Sequence, residues 1–339
     1  MKANFGLGIA TGTEGLMYPI PYSSVRDVVE LSVFAETLGF HSVWGNDHIS
    51  SQNYVREEFG APPRYYAPLL TLSAIAERTT TLKLATALLV IPFRNPLVVA
   101  KEIATLDHLS NGRLLLGVGL GAYREEFESE FGAAQAGMVR GKMLDESLTI
   151  LDKLFREETV SYTGKYFDIQ NAQSFPHPVQ TPFPFYFGGN SDNSFRRVAK
   201  WGTGWLPALL TPGEVREGIG KLEAACESAG RKASEIDVAP QFSVCVGKTH
   251  EEAIQKFEKS QIYYHTCTLS QSTMRGKDAT NYIERNLVGS VEEVREKVEE
   301  YMEAGVSTFS ALIFADNTLE ETRDHMQLFA EEIIRKYSN

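Results

Sequence analysis

Two neighbouring polar residues, Asp47 and His48, lie at the end of an apolar run at residues 41–47 and could carry proton-transfer chemistry. An imidazole exchanges a proton near neutral pH, and an adjacent carboxylate can orient such a ring or take a hydrogen bond from it. The pair therefore predicts a general acid or base. The alternative is a structural pair, in which the aspartate caps a helix and the histidine lies on the surface.

A second candidate is the segment G-G-N-S-D-N-S at residues 188–194, which follows an apolar run and precedes a helical pattern. Glycines and small hydroxyl residues at such a junction expose backbone N–H groups at the positive end of a helix, where phosphates bind. The same residues also form ordinary turns and caps. The segment G-V-G-L-G-A at residues 117–122 departs in spacing from a dinucleotide-binding fingerprint, and its glycines could equally serve close backbone packing.

A repeated unit of strand, loop and helix must position these candidates. Apolar strand patterns occur at residues 3–10, 41–47, 82–91, 113–119, 185–187, 204–207, 238–246 and 308–314. Helical patterns occur at residues 23–38, 66–78, 95–109, 140–155, 193–201, 214–228, 251–260, 291–304 and 319–337. Nearly continuous apolar strands are typical of a parallel sheet covered by helices. Eight alternating units favour a closed (β/α)8 TIM barrel over an open doubly wound sheet.

No linker or change in composition divides the chain, which predicts a single domain over residues 1–339. Two segments fit the repeat poorly and are predicted to be insertions at the mouth formed by the carboxyl ends of the strands. Residues 160–182 begin with a β-hairpin pattern at 160–172, and residues 262–288 are polar and irregular. Active sites of such barrels gather at that mouth, so we expect the candidate residues to converge there.

Composition narrows the classes of function. The chain of 339 residues has 33 Lys and Arg against 44 Asp and Glu, a net charge of −11, and no basic patch, which argues against nucleic acid as a partner. The most apolar run, residues 87–93, is too short to cross a membrane, and no signal peptide is evident. Three cysteines without a C-x-x-C pair predict a cytoplasmic protein with neither a disulfide framework nor a metal site.

Seven segments, in order along the chain, resemble the markers of the bacterial luciferase-like family of flavin and deazaflavin oxidoreductases. They are V-W-G-N-D-H at 43–48, T-A-L-L-V-I-P-F-R-N-P at 86–96, L-D-H-L-S-N-G-R at 106–113, G-V-G-L-G-A-Y-R-E-E-F at 117–127, R-G-K-M-L-D-E at 140–146, G-K-Y-F-D at 164–168 and P-F-P-F-Y-F-G-G-N-S at 182–191. The E-E-F, R-G and G-K-Y-F-D markers most resemble the subgroup that uses coenzyme F420. The resemblance covers most of the chain and carries no information on the substrate.

The resemblance implies a (β/α)8 barrel that holds a flavin or deazaflavin ring at its mouth, with Asp47 and His48 as catalytic residues near the ring and His48 as the proton donor or acceptor. It implies three sets of cofactor-binding residues: Ala87 and Leu88 behind the ring, Gly119, Leu120 and Gly121 beside it, and Gly188, Gly189, Asn190, Ser191, Ser194 and Arg140 at the phosphate end. It also predicts a non-proline cis peptide between Ala87 and Leu88.

The expected function is hydride transfer between F420 and a small organic substrate, in a homodimer. One alternative is an FMN-dependent monooxygenase that takes reduced flavin from a partner reductase and reacts it with oxygen. Others are a non-catalytic flavin-binding barrel and a lyase or isomerase without a redox cofactor. Some flavin-using members carry arginine where this chain has Leu120, and some deazaflavin-using members carry an acid where it has Ala122. The choice between F420 and FMN therefore stays open at this point.

Overall fold

The computed structural model describes residues 2–269 and 282–338. Within these ranges the strands are β1 (Asn4–Ile9), β2 (Ser42–Gly45), β3 (Lys83–Thr86), β4 (Leu89–Val90), β5 (Leu114–Gly119), β6 (Val160–Thr163), β7 (Asp168–Ala172), β8 (Phe185–Gly188), β9 (Gly202–Leu206), β10 (Asp237–Val238), β11 (Gln241–Gly247), β12 (Leu287–Ser290) and β13 (Thr308–Phe314). The α-helices are α1 (Val25–Thr37), α2 (Asn53–Glu58), α3 (Pro68–Ala76), α4 (Pro96–Leu109), α5 (Arg124–Phe131), α6 (Arg140–Leu154), α7 (Asp192–Trp201), α8 (Pro212–Ser228), α9 (His250–Glu258), α10 (Gln261–Leu269), α11 (Val291–Glu303), α12 (Leu319–Phe329) and α13 (Arg335–Tyr337).

The main sheet is parallel and curls around a buried core. Its order is β10-β9-β8-β5-β3-β2-β1-β13-β11-β12, and β4 pairs with β5. The short strand β10 pairs with β9, while β11, two residues further along the chain, pairs with β13. The backbone N–H of Gln241 donates to the carbonyl of Pro207 at 3.3 Å, and that of Ser307 donates to Val238 at 3.1 Å. The predicted α/β class with a parallel sheet is confirmed.

Helices cover the sheet because their apolar positions recur on one face. Helix α4 begins at Asn95, whose side chain accepts hydrogen bonds from the first turn, and Pro96 occupies the first helical position. Val99, Ile103 and Leu106 then recur at three- and four-residue steps and are fully buried. Removing one such side chain typically costs about 2–5 kcal/mol of stability. Among the helices in the described ranges, none is long and apolar enough to cross a membrane.

Two predicted strands are interrupted. The strand expected over residues 82–91 divides into β3 and β4 at a cis peptide between Ala87 and Leu88, which confirms the predicted cis bond. The strand expected over residues 238–246 divides into β10 and β11 around Pro240, because proline has no N–H to donate to a neighbouring strand. The helix expected over residues 319–337 passes through a π-helical turn after α12.

The two predicted insertions differ in outcome. The hairpin expected at residues 160–172 is present, since β6 and β7 pair antiparallel outside the main sheet. The expectation of irregular structure over residues 262–288 is wrong at both of its ends, where α10 and β12 occur. Ile262, His265 and Thr266 form the buried face of α10 and have helical spacing. Two of these three residues are polar, so a search for apolar periodicity does not detect the helix. Residues 270–281 of this predicted insertion lie outside the described residues.

Candidate active site

A cavity of about 650 Å³ opens at the carboxyl ends of β2, β5 and β8, a size suited to a cofactor or a small ligand. All the predicted site residues except Arg140 line it: Asp47, His48, Ala87, Leu88, Gly119, Leu120, Gly121, Gly188, Gly189, Asn190, Ser191 and Ser194. The convergence at this edge follows from the parallel sheet, which brings the ends of separate strands together. The roles of these residues remain predictions.

His48 is held by a buried carboxylate that the sequence did not single out. Both carboxylate oxygens of Glu126, on α5, lie 3.1–3.2 Å from Nδ1 of His48, and one of them also accepts the N–H of Ile49 at 3.0 Å. The amide nitrogen of Gln52 lies 3.1 Å from the same Nδ1. Because a carboxylate is a stronger acceptor than an imidazole nitrogen, Nδ1 carries its proton toward Glu126. Nε2 has no hydrogen-bond partner among the described residues and is left for a ligand.

Tyrosine rings surround His48. The ring of Tyr65 lies 5.5 Å from the imidazole and that of Tyr123 lies 5.7 Å from it. Burial raises the pKa of both tyrosine hydroxyls, and the Glu126 carboxylate raises both further. The two tyrosines therefore stay neutral and act as hydrogen-bonding, water-excluding walls. The hydroxyl of Tyr65 donates to Oε1 of Gln52 at 2.7 Å, which fixes the amide beside the histidine.

Asp47 has a different environment from His48. Its Oδ2 lies 2.6 Å from Nη1 of Arg94 and accepts the N–H of Val90 at 2.9 Å, while Oδ1 lies 2.9 Å from Nη2 of Arg94. Both oxygens of the carboxylate thus hold the turn that follows β4. Removing one partner of such a buried pair typically costs about 3–5 kcal/mol, because the other charge is left unpaired. The contacts give Asp47 a positioning role beside the catalytic one expected from the sequence.

The floor of the cavity is built from glycines packed on Leu88. A Cβ atom added to Gly188 would lie 2.5 Å from Cδ1 of Leu88, and one added to Gly119 would lie 2.7 Å from the same atom. Side chains at these two positions would displace Leu88 into the cavity. The amide of Gln241, from the opposite part of the sheet, donates to the carbonyl of Ala87 at 3.4 Å.

The loop at residues 188–194, which the sequence predicts to bind phosphate and which we name the cradle, joins β8 to the capped N-terminus of α7. Oγ of Ser191 accepts the N–H of Ser194 at 3.3 Å and lies 3.0 Å from its hydroxyl. Gly189 has a φ of 98°, which favours glycine, and its carbonyl accepts a hydrogen bond of 2.9 Å from the indole of Trp205. The N–H groups in the first turn of a helix have no partner within the helix, so a phosphate can bind here.

Two arginines lie near this cradle, and only one reaches the cavity. Arg197, which the sequence did not indicate, lines the cavity one helical turn after Ser194. Its Nε and Nη2 bind Asp145 and its Nη1 has no partner among the described residues. Arg140 departs from the prediction: its guanidinium lies 3.9 Å above the ring of Phe127 and donates to the carbonyl of Gly121, so it supports the end of β5 instead of lining the cavity. A basic residue six positions after the helix-capping Ser191 is the signal that could have identified Arg197.

A second histidine lines the mouth of the cavity. His265, on α10, is 4% exposed, and its Nδ1 lies 2.8 Å from the hydroxyl of Tyr54 on α2. Burial, with the charge of His48 adding to it, lowers the pKa of His265 to about 4. The sequence did not indicate this residue because it falls in the segment predicted to be irregular.

A curled parallel sheet with a histidine–carboxylate pair and a glycine- and serine-rich helix cap at its carboxyl edge defines an α/β protein with a cofactor-sized cavity. The sequence profile described as luciferase-like monooxygenase matches residues 4–308. The chain belongs to the luciferase-like monooxygenase family, as its sequence markers predicted.

Individual relatives divide between two cofactors. An F420-dependent glucose-6-phosphate dehydrogenase of Amycolatopsis mediterranei is 29% identical over 68% of this chain and 68% of its own length. The oxygenase component of the flavin-dependent trigonelline monooxygenase of Acinetobacter baylyi is 23% identical over 92% of this chain and 89% of its own length. A solved monooxygenase from Streptomyces bottropensis shares the fold, with a TM-score of 0.79 at 22% identity over 99% of this chain and 100% of that one. The prediction of an oxidoreductase is confirmed, and both predicted chemistries occur among the relatives.

Proposed function

We propose that this chain is an F420-dependent oxidoreductase that transfers a hydride between F420 and a small organic substrate. One observation carries the proposal: a single cavity joins an imidazole with a free Nε2, a floor of close-packed glycines and a helix N-terminal cradle. The relative from Amycolatopsis mediterranei, named as F420-dependent, supports this choice of cofactor.

The residues present fit such a cofactor. Gly119 and Gly188 have no Cβ atom to push Leu88 into the cavity, so the floor keeps room for a planar ring. The cradle around Ser191 and Ser194 suits the phosphate, and Nη1 of Arg197 offers a positive partner beside it. When bound, F420 supplies a deazaflavin ring that accepts or donates a hydride at C5.

The residues of the chain would supply orientation, a proton path and protection from water. His48 would exchange a proton with the substrate at Nε2 because Glu126 holds the other nitrogen protonated. Asp47, through Arg94 and Val90, would keep the turn behind the ring in place. The rings of Tyr65 and Tyr123 would keep water away from the imidazole.

We further propose that residues 1–339 form a single (β/α)8 barrel with mouth insertions at 160–182 and 262–288. Strands β10 and β11, which pair with β9 and β13, support closure of the sheet. The hairpin of β6 and β7 lies outside the main sheet, and His265 reaches the cavity from α10, which supports the two insertions.

A homodimer and a cytoplasmic location are also part of the proposal. Leu70 on α3 and Val98 on α4 are 75% and 58% exposed beside a groove between the two helices, which supports an interface between two copies. The sequence has three cysteines, an odd number without a C-x-x-C pair, which is typical of a reducing compartment.

Titration of the purified protein with F420 and with FMN, followed by absorption spectroscopy, tests the proposal. We expect saturable binding of F420, and oxidation of reduced F420 when a suitable organic substrate is added. FMN bound with higher affinity than F420 would contradict the proposal. Cofactor bound without turnover on a broad panel of substrates would instead favour a flavin-binding protein without catalytic activity.

A flavin-dependent monooxygenase is the second candidate, because the trigonelline monooxygenase component matches 92% of this chain. In that case a partner reductase would supply reduced FMN, and oxygen would be consumed. Measurement of oxygen uptake with reduced FMN, with and without an added flavin reductase, separates this candidate from the first. Uptake that depends on an organic substrate would favour the monooxygenase.

A further inference from the structure

The part of the cavity near His48 is suited to an uncharged ligand. Apart from histidines, the described residues that line the cavity include two with formal charges. Asp47 is paired with Arg94, and Arg197, which is paired with Asp145 through Nε and Nη2, lies on α7 beside the cradle. The side chains of Leu16, Met17, Leu120 and Tyr123 supply apolar and aromatic surface. A charged substrate group would lose its hydration here without gaining an opposite charge among these residues.

A series of neighbouring aromatic rings connects one cavity histidine to the other. The rings of His265 and Tyr54 are stacked, with their centroids 6.2 Å apart and their planes 21° from parallel. Tyr54 lies 6.5 Å from Tyr123, and Tyr123 lies 5.7 Å from His48. The rings of His48, Tyr123 and His265 line the cavity, so an aromatic ligand can pack against them.

The contact with Tyr54 orients the imidazole of His265. A phenol is a stronger acid than a neutral imidazole, so the Tyr54 hydroxyl donates to Nδ1 at 2.8 Å. The ring proton of His265 then lies on Nε2, which has no partner within the part of the chain that the structure describes. Because burial lowers the pKa of this histidine to about 4, it is a neutral hydrogen-bond donor at neutral pH.

We propose that Nε2 of His265 donates a hydrogen bond to the oxygen of a neutral, planar substrate, an aromatic or conjugated carbonyl compound or its alcohol. The inference rests on the proposed function and names the substrate class of the same cavity. Reduction of such a carbonyl to its alcohol consumes one hydride, which the cofactor supplies, and one proton, which the imidazolium form of His48 gives up from Nε2 while Nδ1 keeps its own proton. The two histidines then have separate tasks: His265 binds the oxygen, and His48 exchanges the proton.

Paired ligands that differ by one oxygen atom test this assignment. Acetophenone and ethylbenzene have similar shapes, and only the first has a carbonyl group. We expect the F420-loaded chain of 339 residues to bind acetophenone more tightly than ethylbenzene in titration calorimetry. The His265→Phe variant should lose about tenfold in affinity for acetophenone and keep its affinity for ethylbenzene, because phenylalanine keeps an aromatic ring but has no N–H to donate to the carbonyl. His265→Gln retains an N–H donor and should lose less.

A matched control lies on the same helix. Tyr264 is 43% exposed, and Tyr264→Phe should leave both affinities unchanged. Equal losses for the two ligands in His265→Phe, or no saturable binding of acetophenone by the wild-type protein, would overturn the inference. Loading with F420 is measured separately by absorbance, and the ligand titrations are repeated on the protein without added cofactor. A failure of the proposed cofactor is thereby distinguished from a failure of the assigned substrate class.

Discussion

The imidazole of His48 and the carboxylate of Glu126 lie 3.1 Å apart, although 78 residues separate them in the chain. Glu126 is 1% exposed, and one of its oxygens also accepts the N–H of Ile49. A buried carboxylate with two donors has little freedom to move, so it fixes both the orientation and the tautomer of the histidine. The proton chemistry proposed for His48 therefore depends on an acid from a different strand–helix connection.

Replacement of His48 by alanine tests the proton transfer. We expect turnover to fall by about 10²–10⁴-fold, the usual contribution of a general acid or base, with a much smaller change in cofactor affinity. Turnover and cofactor titration on one preparation of His48→Ala measure both quantities. Activity near that of the wild type would assign His48 a purely structural role.

Replacement of Glu126 by glutamine tests the positioning of the imidazole. The amide can still accept the Ile49 N–H, but it is neutral and can donate to Nδ1, which would favour the tautomer with the wrong nitrogen protonated. We expect turnover to fall by roughly tenfold or more, with the unfolding midpoint in urea little changed. Glu128→Gln, on the exposed part of the same helix, is the control and should retain full turnover. A turnover loss matched by an equal loss in folded protein would argue against a positioning role.

Replacement of Gly189 by alanine tests the phosphate cradle. Gly189 has a φ of 98°, and an added Cβ would lie 2.8 Å from Oγ of Ser194. Gly230 also has a positive φ, 70°, but nothing lies within 4 Å of its added Cβ, which makes Gly230→Ala a matched control for backbone strain. Both variants should lose about 1–2 kcal/mol of stability. Only Gly189→Ala should also weaken cofactor binding, by about tenfold or more in an absorbance titration. Equal cofactor affinities in the two variants would contradict phosphate binding by the cradle.

The buried His265 should make the protein sensitive to mild acid. Burial holds its pKa at about 4 in the folded chain, against roughly 6.5 in the unfolded chain. Between these values the unfolded chain binds more protons, so the free energy of unfolding falls as the pH drops below about 6.5. By about pH 5 this histidine should account for a loss of roughly 2 kcal/mol.

Urea unfolding of the wild type and of His265→Asn at about pH 7 and about pH 5 measures that loss. The variant should lose less stability between the two conditions than the wild type does, by roughly 2 kcal/mol. The exposed His250 provides a control, because His250→Gln should retain the full dependence on pH. An unchanged dependence in His265→Asn would show that the histidine does not titrate differently in the folded chain.

The sequence predicts those parts of the fold and site that depend on local patterns. The apolar run of β5 and the capped start of α4 are fixed by neighbours in the chain, and the glycines of the cradle lie between recognisable elements. Because the strands are parallel, the loops that follow them all lie at the same edge of the sheet, so the sequence pattern is enough to predict that these loops meet. For these reasons the cavity contains the residues expected of it, with the exception of Arg140.

Contacts between distant segments could not be predicted in the same way. Glu126 belongs to a sequence marker, but its role depends on the burial of a short polar helix against His48. Asp47 pairs with Arg94, which is 47 residues further along the chain. A pairing over this distance cannot be predicted from the residues next to Asp47 in the sequence. His265 lies in a helix whose buried face is partly polar, so hydrophobic periodicity gives no clear signal there.

The hydrogen bond from the indole of Trp205 to the carbonyl of Gly189 gives the protein an intrinsic optical reporter. Indole emission responds to hydrogen bonding at its nitrogen, and this indole is fully buried, so solvent does not dominate its signal. Any displacement of the Gly189 carbonyl on anion binding would alter the electronic environment of the chromophore. Binding of an anion to the loop that contains Gly189 could thus be followed by tryptophan fluorescence in the native chain, without an attached dye.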